Sequence, residues 1–383
     1  MLRKLIFICF FISTFSYAQF NQDAPWMKDI KNAKNQTSKE NITSIDEISE
    51  AFNKYWINKD YKKKGSGYKP FKRWENYWTY FVDQNGKIPS GYELWQAWKS
   101  KSANTEKINE ISNWASLTAN KHNAYPGRLP GQGRVNTVAV DPNNPNIWYV
   151  GAPAGGIWKS TDAGFSWVNL FDDFMQIGVS GIAIDPNNSN IIYISTGDDD
   201  AADSYSIGVY KSIDGGAAWN ETGLNPSNTG VNFLSNQITI DPSNSNIIWV
   251  ATNSGLMKSI DAGATWSVKQ GGNIKDFKLK PGNSNTIYAV SSNQYFKSID
   301  GNTFIAFTST LPASSGRLVL GTSAANPAVV YILSANTSAN SYAYQGLYKS
   351  TDSGVTFTKT TNTTDIFESN QAWFDLALEV SPT

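Results

Sequence analysis

Cysteine and histidine are almost missing from this sequence, and their scarcity removes several kinds of site. The 383 residues include one cysteine, Cys9, and one histidine, His122. Cys9 lies in an N-terminal segment that we predict to be removed, so the mature chain has no thiol, no disulfide and no cysteine-based metal site or nucleophile. A single histidine excludes histidine-rich zinc sites and leaves at most one histidine-dependent catalytic triad.

The sequence also lacks an excess of one charge and an apolar run long enough to span a membrane. Lys and Arg total 32, as do Asp and Glu, and no basic block stands out, so we predict no nucleic-acid partner. Leu5–Phe15 is too short an apolar run to span a membrane. With Arg3 and Lys4 before it and Ser16-Tyr17-Ala18 after it, residues 1–18 read as a secretory signal peptide. The alternatives are a buried strand or an uncleaved anchor. Cleavage at Ala18 removes two basic residues, leaving a net charge of −2 (30 against 32) and no transmembrane segment.

Residues 19–112 differ from the rest because their apolar residues recur at helical spacing. Ser44 and Glu47 have the spacing of a capping box before the first apolar stripe. A second stripe runs from Phe71 to Phe81, and a third begins at Ser90. We predict three helices whose tryptophans pin them together or onto the flank of the following domain, or alternatively form a sugar-stacking face.

From Arg134 onward, three features repeat five times in phase. A polar turn such as Asp141–Asn144 precedes an apolar strand such as Ile147–Gly151, and a hairpin such as Ser160–Trp167 follows. The five hairpins begin 52, 47, 39 and 52 residues apart. Four short strands at such a period are typical of propeller blades. We therefore predict an all-β fold over residues 113–383: a β-propeller of five blades plus the start of a sixth, preceded by a small Trp-rich α-helical segment.

The two ends of the repeat array suggest how the ring closes. Trp373–Pro382 matches the opening strand and turn of a sixth blade, while Asn113–Leu117 resembles Ser166–Leu170, the closing strand of the first blade. We expect the segment around Trp114 to be the outer strand of the last blade, so that N- and C-terminal strands pair. On this interpretation the chain is a fragment, and its incomplete ring has sheet edges without hydrogen-bond partners.

Each hairpin carries a serine and, two residues later, an aspartate. The side chains are predicted to cap backbone N–H groups, and the glycine two positions after the aspartate is predicted to take a positive φ. Asn302 stands at that glycine position in the fourth copy. The final Trp or Phe is expected to enter the apolar layer between blades. We interpret the hairpin aspartates as structural; they are Asp162, Asp214, Asp261, Asp300 and Asp352.

The repeats resemble a known family. The run VNTVAVDPNNPNIWYVGAPAGGIWKSTDAGFSW, from Val135 to Trp167, resembles the BNR/Asp-box propellers, and among them most resembles the sortilin-type and xyloglucanase-like superfamily. The resemblance covers about Trp114 to Thr383. With its helical segment, the chain also resembles large secreted bacterial proteins that carry a type IX sorting domain, although no such domain is visible in this sequence. The family includes glycoside hydrolases, sorting receptors and assembly factors, so the resemblance implies a fold more than a function.

One loop stands out on the propeller face that usually binds ligands. In a propeller whose innermost strand comes first, the loops between the second and third strands share this face with the inter-blade loops. The second blade's loop, Gly197–Tyr205, contains Asp198, Asp199, Asp200 and Asp203. Four carboxylates within six positions suit a Ca²⁺ site, the one cofactor that we consider. The alternatives are catalysis by Asp198 and a solvated acidic loop, and we take Tyr205 as a candidate ligand-binding residue.

The resemblance bears on one catalytic candidate and one set of ligand-binding candidates. Xyloglucanase-like enzymes carry an aspartate in the first blade's loop, within a pattern like Asp-x-Gly-Gly. Pro153 occupies that place here, which weighs against glycoside hydrolysis unless Asp198 substitutes. Sialidases bind a carboxylate with three arginines, and Arg128, Arg134 and Arg317 are the arginines of the repeat region. No nucleophilic Tyr–Glu pair is identifiable, and the alternative is that these arginines position the starts of strands.

Taken together, the patterns predict a secreted or cell-surface propeller module that binds a polysaccharide or a protein through its inter-blade loops. One alternative is a glycoside hydrolase of the xyloglucanase-like or sialidase-like type. Another is a sortilin-like peptide receptor or assembly factor.

Overall fold

The computed structural model describes residues 24–28, 30, 44–63, 66–104, 134–171, 174, 177–198, 204–229, 233–307, 310–361, 364–367, 371–374 and 376–383. The chain divides into two compact units, Met1–Leu94 and Trp95–Thr383. The predicted signal peptide and the predicted domain boundary after residue 112 lie outside the described residues. Within the described ranges, no helix combines the length and the apolar character needed to cross a membrane.

The three predicted helices are present. They are α1 (Ile45–Trp56), α2 (Tyr68–Trp78) and α3 (Gly91–Asn104), and a 3₁₀ turn (Pro25–Met27) precedes them. At the start of α1, the Glu47 N–H donates to Ser44 Oγ (3.2 Å) and the Ser44 N–H donates to Glu47 Oε2 (2.9 Å). Ser90 and Glu93 make the same reciprocal pair before α3. These bonds satisfy N–H groups that have no partner within the helix.

Aromatic rings form the core of the first unit. Phe52 of α1 stacks on Phe71 of α2, with ring centroids 3.8 Å apart, and Trp26 meets both rings edge-on. All three are buried. The tryptophan-rich composition therefore serves in part to pin these helices together, as one of the predictions had it.

The second unit contains five sheets, each of four antiparallel strands hydrogen-bonded in chain order. This arrangement confirms the predicted all-β propeller with five blades. Two short helical turns, α4 (Pro226–Thr229) and a 3₁₀ turn (Ser338–Asn340), interrupt the strands. The strands of blades 1 to 5, four to a blade, are β1 (Thr137–Val140), β2 (Trp148–Ala152), β3 (Gly156–Ser160), β4 (Val168–Asn169), β5 (Val179–Ile184), β6 (Ile192–Thr196), β7 (Val209–Ser212), β8 (Asn220–Glu221), β9 (Ser235–Asp241), β10 (Asn244–Thr252), β11 (Gly255–Ser259), β12 (Ser267–Gly271), β13 (Asp276–Lys280), β14 (Asn283–Val290), β15 (Tyr295–Ser298), β16 (Ile305–Phe307), β17 (Arg317–Thr322), β18 (Val330–Ala335), β19 (Tyr344–Ser350) and β20 (Thr358–Lys359).

From Trp95 onward, α3 packs on the first two blades. The Trp95 indole donates to the Tyr210 hydroxyl (2.9 Å) and stacks on Phe174, with centroids 4.9 Å apart. Lys99 forms an ion pair with Glu221 of blade 2 (3.3 Å). The alternative that a tryptophan pins a helix to the propeller flank is thus confirmed for Trp95.

The Ser–Asp hairpins, which join the third and fourth strands of each blade, have the predicted capping bonds. In blade 1, Ser160 Oγ accepts from the Gly164 N–H (2.8 Å), and Asp162 Oδ1 accepts from the Ser166 N–H (2.8 Å). Gly164 takes the predicted positive φ, 91°. The residue before this glycine is also left-handed, as Ala163 shows with φ 57°, which the sequence analysis did not predict.

The prediction for Asn302 in the fourth hairpin is wrong. Gly301 takes the positive φ (65°), and its N–H donates to Ser298 Oγ (3.0 Å) three residues back rather than four. Asn302 instead donates its N–H to Asp300 Oδ1 (2.8 Å). The physical reason is that this hairpin is one residue shorter than the others, so the glycine directly after the aspartate makes the turn.

Each blade covers one face of its neighbour, but blade 1 has a face that no described blade covers. Val138 and Val140 are 56% and 45% exposed, and Trp158 beside them is 36% exposed. In blade 3, the residues at the same register positions, Ile238 and Ile240, are 4% and 5% exposed against blade 2. The uncovered residues have the chemistry of an inter-blade face.

No described blade covers the opposite face of blade 5, although residues 376–383 lie along part of its innermost strand. The second-strand tyrosines of blades 1 and 2 reach the next hairpin: the Tyr149 hydroxyl donates to Gly215 O (3.1 Å) and the Tyr193 hydroxyl to Ala262 O (3.0 Å). Tyr331 holds this position in blade 5 and is only half-buried. The described part of the chain contains no sixth hairpin for it.

The predicted opening strand of a sixth blade, Trp373–Pro382, is not a strand among its described residues. Residues 376–383 lie beside β17, where a Cβ on Gly321 would come within 2.7 Å of Val380, and Ser323 Oγ donates to Ser381 O. The location agrees with the prediction, but the hydrogen bonding does not. An innermost strand pairs only with the second strand of its own blade, and the described residues supply none. The predicted closing segment, Asn113–Leu117, lies outside the described residues.

Candidate functional site

The strand order brings several predicted site residues to one face of the propeller. An innermost strand begins at the face where the antiparallel second strand ends. Arg134 precedes β1 and Arg317 begins β17, while Asp198 follows the end of β6. All three therefore lie at the face that carries the loops between second and third strands, which we call the loop face.

Asp198 is engaged with blade 1. Its side chain is only 2% exposed, and Arg134 Nη2 donates to its Oδ2 in an ion pair. Asn136 Nδ2 donates to the other oxygen, Oδ1 (3.3 Å). Because a buried carboxylate is costly unless it is paired and hydrogen-bonded, Arg134 and Asn136 account for its position here. The arrangement ties the chain entering blade 1 to the loop of blade 2.

Both described arginines of the predicted triad contact the same C-terminal segment. The Arg134 guanidinium carbon lies 5.7 Å from the centroid of the Phe374 ring. Arg317 is 7% exposed, and its Nη1 donates to Trp373 O (3.3 Å). Both side chains thus have protein partners at the loop face. The third predicted arginine, Arg128, lies outside the described residues.

The remaining residues of the acidic loop are described only in part. Tyr205 is 48% exposed at the end of this loop. Asp199, Asp200 and Asp203 lie outside the described residues. In the ranges that the structure describes, no group of three or more His, Cys, Asp or Glu side chains is placed to hold a metal ion. The predicted Ca²⁺ site therefore stays a prediction.

Polar side chains on the innermost strands link the blades, which the sequence analysis missed. The Ser180 and Ser235 hydroxyls are 2.7 Å apart, and Gln237 Oε1 accepts from the Phe277 N–H (3.1 Å). Asp276 Oδ2 accepts from the N–H of Leu320 in blade 5 (2.7 Å). The signal was visible as polar residues interrupting apolar inner strands.

Asp276 is a second buried carboxylate near the loop face, since it is the first residue of the innermost strand of blade 4. It is 8% exposed, and its Oδ1 accepts from Lys278 Nζ (3.0 Å). Like Asp198, it has donors on both oxygens. The buried carboxylates described at this face therefore serve inter-blade contacts.

The first blade's loop closes tightly on blade 2. Pro153, which the sequence analysis predicts at the place of the aspartate of xyloglucanase-like enzymes, is half-buried. A Cβ on Gly178, at the entrance to blade 2, would lie 2.2 Å from the Pro153 carbonyl oxygen. The loop has no carboxylate of its own, and its backbone packs directly against the neighbouring blade.

Comparison with known proteins gives local sequence similarity and distant structural similarity. No family model matches the chain. A stretch of 48 residues is 54% identical to a xyloglucanase of Hypocrea jecorina (strain QM6a), covering 12% of this chain and 6% of that protein.

The similar solved structures include propellers of two kinds. An ancestral GH74 enzyme has a TM-score of 0.49 at 21% identity, over 60% of this chain and 31% of that one. A Niastella koreensis GH74 enzyme has a TM-score of 0.47 at 24% identity, over 61% and 38%. YCF48 from Cyanidioschyzon merolae has a TM-score of 0.40 at 12% identity, over 61% and 87%. The chain spans less than two-fifths of these two GH74 enzymes.

Proposed function

We propose that this chain is a secreted or cell-surface propeller module of the Asp-box type that binds a polysaccharide at its loop face without hydrolysing it. The observation that carries the proposal is that Asp198, the candidate catalytic acid, is buried and held by Arg134 and Asn136.

Hydrolysis of a glycosidic bond needs two carboxyl groups on either side of the bond. Pro153 stands at the position of the first, and Asp198 and Asp276 are committed to inter-blade contacts. The described loop face therefore favours holding a sugar chain over cleaving it. A glycoside hydrolase is the second candidate, because of the local identity to a xyloglucanase.

A polysaccharide is favoured over other ligands by the chemistry of the loop face. Among the described charges there, Arg134 and Asp198 are paired with each other. Among its half-buried or exposed side chains are hydroxyls, amides and a phenol, as in Ser254, Asn293 and Tyr205. Such groups match the hydroxyls and the apolar ring faces of neutral sugars.

Affinity electrophoresis of the full chain in gels containing xyloglucan, other β-glucans or mannan tests the proposal. We expect retarded migration with at least one of them, and roughly tenfold weaker binding for Tyr205→Ala, a loss of about 1.4 kcal/mol. Tyr61→Ala is the matched control, because Tyr61 is also 48% exposed but belongs to the first unit. Equal retardation of the two variants, or none in any gel, would overturn the assignment of the loop face.

For the acidic loop, we propose that three of the four predicted ligands, Asp199, Asp200 and Asp203, hold Ca²⁺, while Asp198 is ion-paired with Arg134. The spacing of the carboxylates in the sequence supports this. Binding to the native state alone would raise the melting temperature with added CaCl₂ and lower it with a chelator. Asp200→Asn should abolish most of the difference, and an identical melting temperature with and without CaCl₂ would refute the site.

A further inference from the structure

A cluster of aromatic side chains lies exposed at the end of α2 in the first unit. Tyr77, Tyr80 and Phe81 are 56%, 79% and 49% exposed, and Trp78 among them is half-buried. We call these four residues the aromatic patch. They lie within five consecutive positions. Tyr77 and Trp78 are the last residues of α2, and Tyr80 and Phe81 are in the turn that follows it.

The rings form one continuous surface. The Tyr77 and Phe81 centroids are 5.0 Å apart with planes inclined by 35°, and Trp78 meets both, at 5.2 and 6.1 Å. Tyr80 is exposed in the turn between Trp78 and Phe81. Two rings tilted by 35° to each other, with a third edge-on to both, make a shallow platform.

The platform is not required by the core of its unit. That core is already formed by Trp26, Phe52 and Phe71, which are buried against one another. α2 contributes Phe71 to it, seven residues before the helix ends. These large apolar rings are exposed to solvent together, and the core is complete without them. An exposed apolar cluster of this kind is typical of an interaction surface.

The residues beside the patch in the chain are polar. Asn76, Thr79 and Asn85 are exposed, and exposed Arg73 lies one helical turn before Tyr77. The nearby carboxylate of Asp83 is turned into its own turn, where Oδ1 accepts from the N–H groups of Asn85 (2.8 Å) and Lys87 (2.9 Å). Nucleic acids need cations along their phosphates, and the patch itself contains none.

We propose that the aromatic patch is a binding site for a neutral polysaccharide. The apolar C–H face of a sugar ring stacks on Tyr77 and Phe81, and the hydroxyls at its edge bond to the amide and hydroxyl groups of the polar residues beside the patch. The ligand class is the same as in the proposed function, but the residues are different and belong to the other unit. Two sites on one chain bind a long polymer more tightly than either alone.

The test uses the full chain in affinity electrophoresis and in pull-down with insoluble polysaccharides. The triple variant Tyr77→Ala/Tyr80→Ala/Phe81→Ala should lose about a hundredfold or more in apparent affinity, since two linked sites gain about 10²–10⁴-fold over one. The matched control is Ile57→Ala/Phe165→Ala, whose residues are 74% and 92% exposed outside the patch. Unchanged circular dichroism and melting temperature establish that each variant is folded.

Two substitutions of Tyr80 test whether binding depends on its aromatic ring. Tyr80→Phe retains the ring and should bind as the wild type, whereas Tyr80→Ser should be weakened. Binding also shields the Trp78 indole, so its fluorescence should change on titration with soluble polysaccharide.

The outcomes distinguish failure of the aromatic-patch proposal from failure of the loop-face proposal. If the triple variant binds as the wild type while Tyr205→Ala is weakened, the patch is refuted and the loop face stands. If the triple variant loses binding and Tyr205→Ala does not, the patch stands alone. If the wild-type chain binds no polysaccharide tested, both proposals are wrong.

Discussion

Among the described ion pairs of the propeller, the one between Asp198 and Arg134 involves the most deeply buried side chain, so its removal should destabilise the fold most. Arg134→Ala removes a cation from a carboxylate that is 2% exposed. Breaking such a buried pair from one side costs about 3–5 kcal/mol, and we expect the lower value because the Arg134 side chain is 25% exposed. Chemical denaturation measures the loss of unfolding free energy.

The comparison for this prediction is the exposed pair of Lys99 and Glu221. Lys99 is 57% exposed, so Lys99→Ala should cost less than about 1 kcal/mol. Equal losses for the two variants would mean that the Arg134–Asp198 pair does not hold blade 1 to blade 2.

These two residues also show where sequence reasoning stops at the residue scale. They were assigned to rival hypotheses, Asp198 as an acid or calcium ligand and Arg134 as a carboxylate binder. The residues are 64 positions apart, and no local pattern joins them. Their contact depends on how two blades are placed, which hydrogen bonding within a blade does not specify.

At the scale of the element, the Ser–Asp hairpin makes the free energy of unfolding depend on pH. Hydrogen bonds from the Ser166 hydroxyl and N–H, and from Ser160, lower the pKa of Asp162 from 3.8 to about 2. The equivalent bonds from Thr265 and Ser259 lower the pKa of Asp261 to about 2. Because the folded pKa lies below the unfolded one, this stabilisation is full above pH 4 and is lost as pH falls from 3.8 to about 2.

The expected result is a urea midpoint that falls between pH 4 and pH 2. Asp162→Asn should lower the midpoint at pH 6 and flatten that fall, since asparagine does not titrate. A variant with the same acid dependence as the wild type would contradict the role given to this carboxylate. The neighbouring Thr161→Val, which leaves Ser160 and Asp162 in place, is the control.

The hairpin was the element that the sequence predicted best, because its bonds are local. Serine, aspartate and glycine at fixed spacing define the turn wherever the spacing holds, as at Ser160–Gly164. The prediction failed at Asn302, where one residue is missing and the turn shifts to Gly301. The strand predicted after Trp373 failed for the opposite reason, since a strand needs a partner that a local pattern cannot supply.

At the scale of the whole molecule, blade 1 and blade 3 offer a matched pair of positions. Val138→Ala removes methyl groups from a side chain that is 56% exposed, so it should change the unfolding free energy by less than about 0.5 kcal/mol. Ile238→Ala, at the same register position in blade 3, leaves a cavity between blades and should cost about 2–5 kcal/mol.

Thermal and urea unfolding of both variants measure the difference. Comparable losses would mean that Val138 is covered in solution by a partner surface, and that the exposed face of blade 1 is an interface. A hydrophobic dye that binds the wild type, and binds less well to Val138→Lys, would locate the exposed face independently.

The number of blades was predictable because three features recur at a blade-length period, and each recurrence reinforces the others. The loop face was less predictable because its contacts join distant segments, such as Arg317 with Trp373. The aromatic patch was visible only as a helical stripe in the sequence. The exposure of Tyr77 and Phe81 follows from where α2 ends and from which rings already fill the core.

The central claim, binding without hydrolysis, is tested most directly by one incubation. The full chain is mixed with xyloglucan, bound protein is separated and quantified, and new reducing ends are measured over time in the same samples. The account predicts bound protein and no reducing ends above those in a protein-free control. Release that grows with time and disappears in Asp198→Ala would contradict it and make the chain a glycoside hydrolase.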